Sequence, residues 1–126
     1  MEKVVLVRCI SCSLMSNFDH VGFKMQKIKD EKELTNLLQG KQIITYIRDQ
    51  SITKYLQSLV GEMAPASDQE YKYDPQDIVI MVSPSRKAKN PNETVNIEKF
   101  SDIVAFLVTS EGESKANEGE VTKLTI

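Results

Sequence analysis

At 126 residues the chain is sized for one domain with a real core and is too short for two. Its composition, 40% hydrophobic and 27% charged, is ordinary for a soluble globular protein. A net charge of −2 argues against a general electrostatic grip on long nucleic acid, so any anion site must be local; no apolar run reaches the roughly eighteen residues of a membrane span.

The opening MEKVVLVRCIS has an acid at position 2 and an alternating apolar pattern, unlike a signal peptide. A cytoplasmic location is therefore expected. Val4 to Ile10 is a near-continuous apolar run, the pattern of a strand covered on both faces. Cys9 and Cys12 form a lone CxxC. A zinc site would need a second pair, and the only histidine, His20, lies too close to complete one. Ser11-Cys12-Ser13 has the character of a strand end rather than a helix start, so the thiols read as small buried groups. No metal or cofactor is expected.

A polar loop, Ser11 to His20, leads to Val21–Ile28, which alternates like a half-buried strand. Asp30 is placed to cap a short helix, with Glu33 three residues on as in a capping box and Gly40 as its stop. Leu34, Leu37 and Leu38 are spaced to face the core. Ile43–Ile47 is the next strand, followed by the polar turn Arg48-Asp49-Gln50-Ser51. The helix beyond it sets Ile52, Tyr55, Leu56, Leu59 and Val60 on one stripe and stops at Gly61. Its first turn has unpaired N–H groups and the positive end of the macrodipole, so the junction either holds an anion or caps its own helix.

Met63–Tyr73 is irregular and polar, with an edge strand expected around Glu70–Tyr73. Ile78–Val82, five apolar residues in a row, reads as a central strand. The loop Ser83–Glu93 holds Pro84, Arg86, Lys87, Lys89 and Pro91; Asn96–Ser101 suits a helical turn, and Ile103–Val108 returns as a strand. Strands alternating with helices predict an α/β fold: a single domain over residues 1–108, with a mixed β-sheet of about five strands and helices packed against it. Residues 109–126 read as a polar tail or a terminal hairpin.

In such a sheet ligands gather where strands end and loops meet. Three segments are candidates: Ser11-Cys12-Ser13 after the first strand, Asp49-Gln50-Ser51 at the helix start, and Ser83–Lys89 after the central strand. Ser11, Ser13, Gln50 and Ser51 supply hydroxyl, amide and helix N–H groups. Arg86 and Lys87 supply charge, Arg86 with a bidentate fork. Each has a plainer role as well: Asp49 or Ser51 as an N-cap, Arg86 and Lys87 as a solvated loop, Ser11 and Ser13 as a strand end.

Taken in order, these segments resemble the ring-nuclease anti-CRISPR proteins of archaeal viruses. Ser11-Cys12-Ser13-Leu14-Met15 matches that family's Ser-x-Asn-Met/Leu turn. Tyr46-Ile47-Arg48-Asp49-Gln50-Ser51, with Ser58-Leu59-Val60-Gly61 closing the helix, matches its Ala/Ser-Ile-Gly-His signature and Leu-x-Gly end. Ser85-Arg86 after Ile78–Val82 aligns with its Gln-Arg-x-x-Glu-Gly element. The match runs over most of residues 3–108.

The resemblance implies a homodimer with a mixed α/β sheet that binds cyclic tetra-adenylate. It also implies metal-independent cleavage: a ribose 2′-hydroxyl attacks the neighbouring phosphate, a histidine protonates the leaving oxygen and an arginine steadies the phosphate. In this chain Arg86 takes the arginine position and Asp49 stands where the family has its histidine. Lys89 falls near the family's acidic position. The expectation is a viral protein of the host cytoplasm that binds a cyclic oligoadenylate or related nucleotide with cleavage weak or absent. The alternative is a non-enzymatic interaction protein that contacts a host protein or DNA and keeps only the fold.

Overall fold

The computed structural model describes residues 2–10 and 18–115. It shows a single α/β domain with five strands in one mixed sheet and two helices packed on it. The strands are β1 (Lys3–Val7), β2 (Phe18–Lys27), β3 (Gln42–Thr45), β4 (Ile78–Pro84) and β5 (Ile103–Lys115); the helices are α1 (Glu31–Leu38) and α2 (Gln50–Val60). Across the sheet the order is β2-β5-β4-β1-β3. β1 lies parallel to both β3 and β4, while β5 runs antiparallel to both β4 and β2.

The central place of β1 follows from its composition. Val4 to Val7 are all buried, and alternate members enter different cores. Val4 and Leu6 join Leu34 and Leu38 of α1 and Ile52, Tyr55 and Leu56 of α2. Val5 and Val7 turn to the other face, where they meet Val79, Val108, Tyr71 and Tyr73. Both helices therefore cover one face, and the irregular chain between α2 and β4 covers part of the other. The edge strand expected at Glu70–Tyr73 is not formed: the chain there is irregular and joins no ladder. Two tyrosines are buried against the sheet there, and these large rings hold the irregular chain on that face.

Helix boundaries follow their caps. Asp30 accepts from the Glu33 N–H at 2.7 Å. Glu33 reaches back to the Lys29 N–H at 3.0 Å, one residue before the donor of a standard capping box. Gly61 ends α2 with φ of +86°, a conformation that glycine adopts without strain. β5 continues well past Val108, and among the described residues its far half pairs with β2 alone, as far as Phe18↔Lys115. On the face away from the helices, β2 leaves Met25 51% exposed. The turn expected at Asn96–Ser101 is a single 3-10 turn at Phe100–Asp102. No helix among the described residues is long and apolar enough to cross a membrane.

Candidate ligand cleft at the strand ends

The carboxyl ends of β1, β3 and β4 lie at one edge of the sheet, and the chain reaches β3 and β4 on opposite sides of β1. Loops leaving such a point diverge and leave a crevice between them. Two clefts open there. One, of about 710 Å³, is lined by Arg8, Gln50, Ser83, Arg86 and Lys87 among others. The second, of about 580 Å³, includes Tyr46, Arg48, Asp68 and Tyr71. Arg8 and Asp49 line both and form their common wall.

Asp49 answers the question raised by the helix start. Its Oδ1 accepts from the N–H groups of Ser51 at 2.9 Å and Ile52 at 3.2 Å, so the carboxylate caps α2. Its Oδ2 faces Arg8 Nη1 at 3.9 Å. The hydrogen bonds it accepts come from the helix start, and the Arg8 contact is a longer ion pair. Asp49 also supplies the helix terminus with an anion from within the chain, and two first-turn N–H groups are used internally.

Arg86 is 51% exposed at the mouth of the first cleft, where its Nη2 pairs with Glu93 Oε1 at 2.7 Å. Glu93 also accepts from the Lys89 N–H. The Arg86 bond first, then that backbone bond, hold the Glu93 carboxyl below its ordinary range. The loop is thus folded on itself, with its guanidinium partly screened by an acid from the same loop. Three basic side chains (Arg8, Arg86, Lys87) face two acids (Asp49, Glu93) in this cleft. The second cleft reverses the balance, with Arg8 and Arg48 against Asp49, Asp68 and Glu70.

The structure brings Asp49, Gln50, Arg86 and Lys87 to one cleft. Ser51 sits at the same helix start, and its Oγ accepts from the Ile97 N–H at 2.7 Å, tying the chain beyond the basic loop to α2. Ser11, Ser13 and Cys12 lie outside the described residues. Cys9 is exposed and lines the second cleft. His20 lies on β2, paired with Ser114 at the end of the β2–β5 ribbon remote from the cleft. Among the described residues no group of three or more His, Cys, Asp and Glu side chains is placed to hold a metal ion. Arg8, Tyr46 and Glu93 were not among the sequence candidates. Arg8 had one signal, its position directly after the buried run Val4–Val7.

No family model matches the chain, and no curated protein matches it. Among solved structures it is similar to B116 of Sulfolobus turreted icosahedral virus, an archaeal-virus protein, with a TM-score of 0.57 and 18% sequence identity over 85% of this chain and 98% of that one. At that identity the likeness is one of fold: this chain shares its α/β architecture with a protein of an archaeal virus.

Proposed function

We propose that the chain is an archaeal-virus protein that binds a cyclic oligoadenylate or a related small nucleotide in the host cytoplasm, as a homodimer, with cleavage weak or absent. The observation that carries this reading is the convergence of Arg8, Arg86 and Lys87 on one cleft at the strand ends, beside Gln50 and Ser83. Guanidinium forks are suited to phosphate oxygens, and the cleft's excess of basic groups is local in a chain of net charge −2. The resemblance at Tyr46–Ser51 and Ser85-Arg86 points the same way, and the shared fold supports the archaeal-virus part of the reading. A two-fold dimer would present one cleft twice, which suits a ligand of repeating units.

Weak cleavage follows from what stands at the general-acid position. Asp49 is engaged as the cap of α2, whereas the resemblance implies a histidine at this position as the proton donor. His20, the one residue whose ordinary pKa suits the task, is on the far ribbon.

Native mass spectrometry with and without cyclic tetra-adenylate reads subunit number, binding and cleavage together. The expected result is a dimer that retains an intact ring. Arg86→Ala should weaken binding by roughly 10- to 100-fold, the value of one charge-assisted hydrogen bond. A monomer that ignores the ligand would replace this reading with that of an interaction protein.

A further inference from the structure

The geometry points to the second cleft as a nucleobase subsite, with Tyr46 as its stacking platform. The inference rests on the nucleotide reading of the first cleft and adds what lies beside the phosphate. Because Arg8 and Asp49 line both clefts, a ligand anchored by a phosphate at Arg8 and Arg86 has the second cleft as its nearest continuation.

Charge decides what that continuation accepts. Asp49, Asp68 and Glu70 outnumber Arg8 and Arg48 there, and Arg48 is engaged with the Ser67 carbonyl at 3.2 Å. A second phosphate would meet net repulsion. A neutral base carrying an exocyclic amine would not, since carboxylates accept from such amines. The cleft also supplies an aromatic surface. Tyr46 is half-buried, with its ring centroid 5.2 Å from that of Tyr71 at 49°.

That platform is built to be rigid. The Tyr46 N–H donates to the Leu6 carbonyl at 2.9 Å, which extends the β1–β3 ladder by one bond. Beside it in the same cleft, Tyr71 is buried and its hydroxyl donates to Asp77 Oδ2 at 2.8 Å. A ring already held in place loses little freedom when a base stacks on it.

The test compares two probes by titration in metal-free buffer: the linear dinucleotide pApA, and inorganic pyrophosphate, which has phosphates and no base. Wild-type protein should bind pApA more tightly. Tyr46→Leu, which keeps an apolar group against Tyr71, should lose roughly 5- to 100-fold for pApA and leave pyrophosphate unchanged. Arg86→Ala should weaken both. Because the chain has four tyrosines and no tryptophan, wild-type tyrosine emission gives a second readout that needs no variant: pApA should quench it and pyrophosphate should not.

Equal affinity of wild type for the two probes would overturn the subsite while leaving phosphate binding intact. So would a folded Tyr46→Leu that binds pApA like wild type, or pApA binding without quenching. If neither probe binds, the nucleotide reading fails and the subsite falls with it.

Discussion

Two acids in the first cleft decide how strongly it attracts an anion, and they differ in what else they do. Asp49 is a cap, so Asp49→Ala should cost about 1 kcal/mol of unfolding free energy. Asp49→Asn keeps an oxygen for the Ser51 and Ile52 N–H groups and should cost less than half of that. Both variants remove a negative charge from the wall shared with Arg8. At a separation of about 4 Å in water that charge is worth on the order of 1 kcal/mol, so pyrophosphate affinity should rise about fivefold in Asp49→Asn. Urea unfolding and pyrophosphate titration of the two variants separate the roles; unchanged affinity in Asp49→Asn would mean that the ligand lies away from this wall. Glu93 is a lock on Arg86 rather than a cap, so Glu93→Gln should raise affinity in the same assay through a freed guanidinium. The Asp49 cap was legible, because Asp before an apolar stripe is an N-cap signal. Its contact with Arg8 was not, because it joins residues that only the fold brings together.

The chain from Ser85 to Ile97 acts as a strap across the start of α2. Its basic end is closed by Arg86 and Glu93, and its other end is fixed by Val95 and Ile97 in the helical core and by the Ser51 hydroxyl. Ser51→Ala leaves the Ile97 N–H without that acceptor, and stability should fall by about 1–2 kcal/mol. The loss should be accompanied by faster amide exchange at Ile97 and its neighbours, with α1 unaffected; exchange spread evenly over the molecule would argue against a local tie. Elements of this kind divide by how they are encoded. The apolar stripe of α2 and its stop at Gly61 could be read directly, since periodicity is local and the buried members Ile52, Tyr55 and Leu56 lie on it. The strap depends on a hydrogen bond between residues 46 positions apart. The cover formed by Tyr71 and Tyr73 depends on rings in an irregular segment whose period matches neither helix nor strand. The extension of β5 to Lys115 runs through Glu, Gly and Ser, residues poor in strand propensity, because β2 offers it a partner.

For the whole molecule, the titrating groups define a pH window. Glu93 is held low by Arg86 and then by the Lys89 N–H; Asp102 is held low chiefly by the Glu98 N–H and then by that of Lys99. A depressed carboxylate stabilises the fold above its unfolded value and loses that contribution as pH falls through the folded one, so stability should decline below the ordinary values of 4.5 and 3.8. At the alkaline end the sign reverses. Burial first, then hydrogen bonds to Asp77 and Glu31, push the hydroxyls of Tyr71 and Tyr55 well above 10.0. The hydrogen bond to Asp77, then its charge, raises Lys3 above 10.5. Above pH 10 the unfolded chain releases these protons while the folded chain keeps them, so the folded state binds more protons and stability falls as pH rises. The urea midpoint should therefore be level between about pH 5 and 9.5 and drop on both sides. Tyr71→Phe should lower the plateau, since Asp77 loses its buried partner, and should flatten the alkaline slope, since one of the three protons is gone. A wild-type midpoint that stays level to pH 11 would contradict the buried Tyr71–Asp77 bond. Because that bond anchors the ring packed beside Tyr46, such a result would also remove the fixed neighbour on which the base subsite depends.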